Sequence, residues 1–505
     1  MYGFKATLLL VLLTVFNFQL NATNYYVSNS GSDSNTGLSS GAAFKTLQHA
    51  ANTVTAGDII FVENGTYVGF DLRNKNGTSA NPIVFKASGN NVLLNQKGPQ
   101  RNDIINIENA NYIIIDGFIT NNAPGNGNGI RVVTSDNCIV RNNSCDNNAE
   151  RGIFTAFTDD ILIENNVCTN SIDEHGIYVS NSSDRPIIRF NECYGNNSIG
   201  IHMNGDLSSG GDGIISDAQV YGNILHDNNG AAGINMDGLQ NPIVYNNLIY
   251  NNHSSQGIAL FQQDGAIVTS GAKIYNNTII VPSDGRWGIL VQNGANINTE
   301  IYNNIIINQH AWRGCIAVES TSQFTSDYNL LNDKMSANGD GSTITLSAWQ
   351  NLGFDNHSLL ADALTSIFVN SGANDYQLIT NSQAIDIGTN LVNSVVSTDL
   401  NGDSRPSGLG YDIGAYEFNS TLSVDDISFI KLKIFPNPTS DYFLLTYDET
   451  QISIKTIDLF DINGKLVKTF NPTQLLSVSE IAAGLYFFKI QLENNRLFQK
   501  KVIIQ

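Results

Sequence analysis

The residues of this sequence that could best do chemistry lie in the middle of the chain, at a regular spacing. Tyr178 and His202 each follow directly after a Gly-Ile pair, and the same pair recurs before Asn235. Phenol and imidazole side chains transfer protons in enzymes, and Asp237 adds a carboxylate two residues after Asn235. We therefore predict that Tyr178, His202 and Asp237 are the catalytic residues of one site.

Polar and aromatic side chains near these three residues are the candidates for binding a substrate. Amide, imidazole and carboxylate groups can form hydrogen bonds with hydroxyl groups, and an arginine can pair with an acidic group. Trp287 could stack against a sugar ring or, alternatively, pack inside the protein. The predicted substrate-binding residues are His175, Asn204, Asn235, Gln262, Asp264, Arg286 and Trp287.

Two further carboxylates, Asp206 and Asp212, flank a short glycine-containing stretch between these residues. Because Ca²⁺ prefers oxygen ligands, we predict Asp206 and Asp212 as the residues that would hold a calcium ion, and we expect no other cofactor. A second acidic stretch, residues 399–403, lacks the rest of a twelve-residue calcium loop, so a plain turn is predicted there.

A ladder of similar segments must position these side chains. An asparagine recurs every 23 to 32 residues, and a Gly-Ile pair recurs between successive asparagines. A period in this range indicates a solenoid, in which each repeat contacts only its neighbours. The segments are rich in β-branched residues and show no helical stripe, which favours short β-strands. The recurrent asparagines are Asn143, Asn166, Asn191, Asn223, Asn247, Asn277 and Asn304.

The alternation of side chains along a strand decides which of them reach the surface. If the isoleucine of each Gly-Ile pair faces the core, the next residue points outwards. This register places Tyr178, His202 and Asn235 in one outward row, and Asn204 and Asp237 in a second row. Adjacent strands stand about 4.8 Å apart, so we expect the members of each row to be neighbours.

This pattern resembles the right-handed parallel β-helix of pectate lyases and their relatives, whose second turn carries such an asparagine ladder. The resemblance implies that the outward strand face and the loops around it hold a sugar chain. Cys145, Cys168 and Cys193 occupy one inward position and are predicted to stack as small hydrophobic residues. We therefore predict an all-β chain, with a right-handed parallel β-helix solenoid followed by a small C-terminal β-sandwich.

The two ends of the chain carry signals that differ from the repeats. A charged residue, an apolar run and a small residue at the start are typical of a secretory signal peptide. A short helix over residues 45–54 is expected to cover the open end of the solenoid, since an uncapped end exposes the coil interior. The predicted segments are a signal peptide (1–22), a cap with the first coils (23–100), the β-helix core (101–330), closing coils (331–420) and a separate C-terminal domain (425–505).

The C-terminal segment, residues 425–505, resembles the sorting domain of the Bacteroidetes type IX secretion system. The resemblance rests on the order of motifs such as the Phe-Pro-Asn-Pro run that begins at Phe435 and the Ala-Gly-Leu-Tyr run that begins at Ala483. It implies export by that machinery, to the medium or the outer cell surface. The formal net charge of −20 argues against nucleic acid or an anionic membrane as a partner. We expect a monomer that binds a polysaccharide.

The leading functional hypothesis is a polysaccharide lyase that cleaves a uronate-containing glycan by β-elimination. This reaction needs a base for the proton beside the carboxylate and a cation that stabilises the enolate. Arg185, Arg286 or a calcium ion could supply the positive charge. Lyases of this fold often use lysine or arginine, and this chain has no lysine between Lys97 and Lys273.

Two other hypotheses remain open at this point. A glycoside hydrolase needs two carboxyl groups across the scissile bond, and Asp237 with Asp206 or Asp264 could provide them. A non-catalytic glycan-binding or adhesive protein would also present polar outward rows. Isolated histidines are predicted to be structural, because catalysis needs a constellation of groups; these are His226, His253 and His310.

Overall fold

The computed structural model describes residues 22–292, 294–419, 433–446, 454–472, 475–492 and 497–505. The chain divides into two compact units, residues 1–419 and 420–505, and each is described by itself. The predicted signal peptide lies outside the described residues except for Ala22. Among the described residues, we find no helix that is both long and apolar enough to cross a membrane.

The first unit is a coil of short strands that stack into three long parallel sheets. The first sheet consists of Asn24–Val27, Ile59–Val62, Ile83–Ala87, Ile113–Asp116, Ile139–Arg141, Leu162–Glu164, Ile187–Arg189, Gln219–Tyr221, Ile243–Tyr245, Lys273–Tyr275, Thr299–Tyr302 and Phe324–Asp327. The second consists of Phe70–Arg73, Ile105–Glu108, Ile130–Val133, Ile153–Ala156, Ile177–Ser180, Ile201–Asn204, Ala232–Asp237, Gln256–Phe261, Ile289–Val291, Ile316–Val318 and Met335–Ser336. The third consists of Gly65–Val68, Val92–Gln96, Ile119–Asn121, Ser144–Asp146, Val167–Thr169, Glu192–Tyr194, Ile224–His226, Leu248–Tyr250, Thr278–Val281, Ile305–Asn308, Leu330–Leu331 and Leu359–Leu360. The predicted parallel β-helix is therefore confirmed.

Short elements complete this unit. The helix Leu47–Thr53 is capped by Thr46, whose side chain accepts the His49 backbone N–H, and it buries Leu47 at the start of the core. It lies within the predicted span 45–54. The other helices are Leu346–Gln350 and Leu364–Ile367, with 3₁₀ turns at Ser40–Ala42, Leu207–Ser209, Ser371–Ala373 and Asn390–Val392. The remaining pairs of strands are Ile215–Ser216 with Leu239–Gln240 and Phe368–Asn370 with Asp375–Leu378.

The asparagine ladder holds the bend between the first and third sheets. In a typical rung, Asn223 donates from both its backbone and side-chain nitrogens to the Asn247 side-chain oxygen at 3.0 Å. Its amide also donates to the Ile188 carbonyl at 2.9 Å. The predicted ladder is confirmed and extends one rung further, to Asn329. Cys145, Cys168 and Cys193 form the predicted inward stack, since all three are fully buried and in register.

Breaking one rung should be costly, because buried groups lose partners. Replacement of Asn223 by Ala leaves the Asn191 side-chain N–H without its acceptor. It also leaves the Ile188 carbonyl without the amide that donates to it. Each buried unpaired group costs about 1–3 kcal/mol, so we expect a clear drop in melting temperature by circular dichroism. Asn90, an exposed residue in a bend, is the matched control, and equal melting temperatures for N223A and N90A would contradict the role given to the ladder.

The second unit consists of two small antiparallel sheets. One contains Lys433–Phe435, Tyr442–Thr446 and Leu475–Ser477, and the other contains Ile454–Asp461, Leu466–Phe470, Gly484–Leu492 and Leu497–Ile504. Side chains from both sheets, including Phe443 and Phe488, share one buried core. Two of these strands, Leu466–Phe470 and Leu475–Ser477, are short and largely exposed.

Candidate active site

Four side chains meet on the outer face of the second sheet. The rings of Tyr178 and His202 stack with centroids 4.6 Å apart and planes 12° from parallel. The His175 ring packs edge-on against both, and its Nε2 lies 3.0 Å from Nδ1 of His202. The Arg151 guanidinium lies over the Tyr178 ring at 4.9 Å from its centroid. Two imidazoles, a phenol and a cation thus occupy one cluster, which we call the His-Tyr-Arg cluster (Arg151, His175, Tyr178 and His202).

The regular coil brings these side chains together. The strand register pairs Tyr178 with His202 and His202 with Asn235, as the alternation predicted. Arg151 and His175 each stand directly before the Gly-Ile pair of their own coil. They therefore project from equivalent turns at the entrance to neighbouring strands, one coil apart.

Arg151 is the functional candidate that the sequence reasoning missed. The predicted cations were Arg185 and Arg286, but the structure places both in other ion pairs. Arg185 binds Asp160 at 2.7 Å in the turn before the first sheet. Arg286 lies 3.5 Å from Asp340, four coils beyond His175. The sequence pattern could have identified Arg151, because it occupies the same position before a Gly-Ile pair as His175 does.

The charge of Arg151 is balanced by two carboxylates. Its guanidinium binds Glu150 at 2.8 Å and Glu174 at 2.5 Å, and its side chain is only 14% exposed. Glu174 also lies 3.3 Å from Nε2 of His175. Burial is the main cause that raises the pKa of the Glu150 carboxyl above its usual value.

The protonation of the cluster follows from its burial. Burial, followed by the Arg151 charge, lowers the pKa of His202 to about 3. Burial, with His202 and Arg151 adding to it, holds the pKa of His175 well below its usual value. Both imidazoles are therefore neutral at physiological pH. Burial also raises the pKa of the Tyr178 phenol, so its resting form is the protonated phenol.

The second outward row is covered, contrary to its expected exposure. Asp237 is 0% exposed, and its carboxylate accepts the backbone N–H groups of residues 263–265. The loops after the strands fold over this row and bury it. The Asp237 carboxylate therefore stabilises this turn. It does not face the open groove, as the predicted catalytic role would require. Asn204, 4% exposed, links the Tyr178 hydroxyl to the Asp264 carboxylate at 3.3 Å each.

The remaining predicted binding residues lie around this cluster or beyond it. Asn235 follows His202 in the row but is only 5% exposed. Gln262 is exposed beside the turn at residues 263–265, and its amide donates to the Gly265 carbonyl. Trp287 is completely buried over Ala259, and its Nε1 donates to Asp340 at 2.6 Å. Of the two interpretations of Trp287, packing is the one that this position fits.

The open floor of the second sheet is short. Arg131, Phe154, Tyr178 and His202 are its half-buried outward residues, and they span three coil spacings, about 14 Å. Beside the cluster, the groove widens into a cavity of about 430 Å³, which is lined in part by Arg131, Arg151 and Phe154. Before Arg131 the outward Asn106 is 0% exposed, and after His202 the floor is covered up to Trp287. The exposed floor thus ends at Arg131 and at His202.

The predicted calcium ligands do not form a cation site in the described part of the chain. Asp206 caps a 3₁₀ turn through Ser208, and Asp212 accepts the Ile214 backbone N–H. Within the described ranges, no three His, Cys, Asp or Glu side chains come together as a metal site would require. Ca²⁺ takes six to eight oxygen ligands, so two carboxylates that each hold a local turn do not by themselves make up its ligand set.

Comparisons with known proteins support the fold and the second unit. The model of the right-handed beta helix region matches residues 170–335, and that of the secretion system C-terminal sorting domain matches residues 433–505. The pectate lyase Pel9A structure is similar with a TM-score of 0.55 and 16% identity, over 79% of this chain and 98% of that one.

Two curated relatives match a much shorter stretch. The ulvan lyase NLR42 of Nonlabens ulvanivorans is 29% identical over 90 residues, which is 17% of this chain and 16% of that protein. The endo-acting ulvan lyase of Formosa agariphila is 29% identical over 91 residues, 17% of each chain. The chain thus spans about one sixth of the length of these relatives. The protein is a right-handed parallel β-helix protein with a type IX sorting domain, secreted or held at the cell surface.

Proposed function

We propose that the protein is a polysaccharide lyase that cleaves a uronate-containing glycan by β-elimination. The observation that carries the proposal is the His-Tyr-Arg cluster, in which proton-transfer groups and a guanidinium share one open floor. The names of the two ulvan lyases and of the pectate lyase support the same class of reaction.

The roles follow from the charges of the reaction. Arg151 keeps its pairs with Glu150 and Glu174, and its positive charge stabilises the negative charge that develops when the carbon beside the substrate carboxylate loses its proton. Tyr178 and His202, whose rings stand 4.6 Å apart, are the two groups beside Arg151 among which the proton transfers are sought. General acid–base groups of this kind accelerate reactions by about 10²- to 10⁴-fold.

The hydrolase hypothesis has less support from the geometry. Its reaction needs two carboxyl groups that face the scissile bond. Asp237 is buried and bound by three backbone N–H groups, and both Glu150 and Glu174 are held by Arg151. The binding-only hypothesis uses the same groove, and turnover of a glycan is what separates it from the lyase.

The test is incubation of the secreted protein with a panel of uronate-containing and neutral polysaccharides. A lyase raises the absorbance of unsaturated uronate and the number of reducing ends together, and this is the expected result. Reducing ends without the absorbance would instead identify a hydrolase. Retention of a glycan in a binding assay, with neither signal, would identify a binding protein.

The short floor predicts that cleavage occurs near a chain end. An enzyme that cuts inside a long chain needs a long exposed floor, whereas the exposed residues of this floor end at Arg131 and at His202. We therefore expect short unsaturated oligosaccharides as the first products, with a slow fall in viscosity. Chromatography of early time points checks this, and a ladder of long products at the start would contradict it.

A further inference from the structure

We infer that His175 fixes the tautomer of His202, so that His202 is a hydrogen-bond donor to the substrate and Tyr178 is the base. The inference deepens the proposed lyase activity and rests on it for the assignment of the proton transfer. It begins from a chain of hydrogen bonds that runs from the backbone into the open floor of the groove.

The direction of this chain is set by its first member. The backbone N–H of Ile199, one coil beyond His175, donates to Nδ1 of His175 at 3.3 Å. A backbone amide can only donate, and a neutral imidazole has one protonated and one bare nitrogen. The proton of His175 is therefore on Nε2. Both Ile199 and His175 are buried, at 3% and 7% exposure, so water does not compete for these atoms.

The second bond passes this assignment on to His202. Nε2 of His175 stands 3.0 Å from Nδ1 of His202 and 3.3 Å from the Glu174 carboxylate. Because Nε2 carries the His175 proton, a second proton on Nδ1 of His202 would face it directly, so Nδ1 can only accept. The proton of His202 is then on Nε2, which has no lone pair free to take a proton. A neutral histidine in this tautomer donates a hydrogen bond, and it stabilises a carboxylate whose negative charge grows during the reaction.

Tyr178 is then the remaining group that can take the proton. Its oxygen accepts a hydrogen bond from Asn204 at 3.3 Å, and Arg151 lies over its ring, so both neighbours favour the phenolate. The phenolate removes the proton from the carbon beside the carboxylate, and that C–H electron pair forms the new double bond as the glycosidic C–O bond breaks. The phenol then returns the same proton to the leaving oxygen, so no proton is gained or lost.

The pH profile separates this assignment from one in which His202 is the base. The charged groups that face Tyr178 and His202 are Arg151, Glu150 and Glu174 on one side and Asp206 and Asp264 on the other. Burial raises the pKa of Tyr178, so the phenolate fraction grows about tenfold per pH unit below that pKa. We expect kcat/KM to rise with pH from 6 to 9. A flat profile over this range would overturn the role of Tyr178.

Nuclear magnetic resonance of the full chain with ¹⁵N-labelled histidine tests the tautomer without any substrate. At pH 7 we expect the His202 signals to show a protonated Nε2 and a bare Nδ1, with His202→Gln providing the assignment. Replacement of His175 by Ala should give a mixture of the two tautomers. A protonated Nδ1 of His202 in the unmodified protein would overturn the inference, whether or not any glycan is cleaved.

Substitutions of His202 test its role as a donor. The amide of glutamine can donate a hydrogen bond but cannot act as a base, so H202Q should stay within about tenfold of the unmodified kcat/KM. H202A should lose about 10²- to 10³-fold, the cost of one lost donor to a developing charge. Equal losses in both variants would overturn the assignment. His226, which stacks between Tyr194 and Tyr250 at 4.8 Å on the third sheet, gives the control H226Q with unchanged activity.

If no glycan is cleaved by the unmodified protein, the proposed function fails while the tautomer is still decided by the ¹⁵N signals. If cleavage occurs and the tautomer is the reverse of that expected, the proposed function stands and the inference falls. The two failures are therefore distinguishable.

Discussion

Replacement of Tyr178 by Phe is expected to lower kcat/KM by about 10²- to 10⁴-fold, the range for loss of a general acid–base group. The substitution removes one oxygen and keeps the ring that stacks on His202. The hydroxyl accepts a long hydrogen bond from Asn204, at 3.3 Å, so its removal should change the melting temperature little. Release of unsaturated uronate by the purified variant is the measurement.

A matched control exists on the opposite side of the coil. Tyr194 stacks on His226 with centroids 4.8 Å apart and planes 8° from parallel, which closely repeats the Tyr178–His202 pair. It lies on the third sheet, away from the groove. Y194F should therefore retain full activity. Activity of Y178F equal to that of Y194F would remove Tyr178 from the reaction and leave the cluster as a packing device.

The sequence predicts most of this fold because the coil is periodic. The spacing of residues such as Asn223 and Asn247 sets the ladder, and the Gly-Ile pairs set the register of the second sheet. Strand alternation with period two then gives the face of every side chain. The row of Tyr178, His202 and Asn235 was predictable for this reason, and the strand pairing reproduces it.

The parts of the site that the sequence did not predict lie in the turns between strands, which have no period. Asp237 was expected in an outward row, but the turn at residues 263–265 folds over it and takes its carboxylate. Trp287 was a candidate platform for a sugar, yet the structure buries it over the sheet. Loop length alone does not reveal which loop covers which strand.

Arg151 shows how such a residue could have been found. The predicted cations were Arg185 and Arg286, whereas Arg151 stands in the turn one coil before His175. Aligning the coils on Gly-Ile places Glu150-Arg151 on Glu174-His175. Charged pairs at equivalent turns of adjacent coils are brought to about 4.8 Å apart, which is enough to build the network of Arg151 and Glu174.

Replacement of Arg151 by Ala is the second large effect that we expect, with a loss of about 10²- to 10³-fold in kcat/KM, because the developing negative charge loses its cation. Arg151 also forms ion pairs with both Glu150 and Glu174. In R151A these two carboxylates lose their shared cation and should repel one another, which lowers the melting temperature. R151K should recover only part of the activity, since an ammonium group cannot form both forked contacts and also lie over the Tyr178 ring.

The control for Arg151 is Arg141, which forms an ion pair with Asp116 at 3.1 Å on the first sheet. R141A removes a cation of the same type from the same solenoid without touching the groove, so it should leave kcat/KM unchanged. The comparison also tests the role of the net charge of −20, because both variants alter that charge equally. A similar loss in R141A and R151A would mean that the overall field attracts or repels the substrate. A loss confined to R151A would place the required positive charge beside Tyr178 and His202.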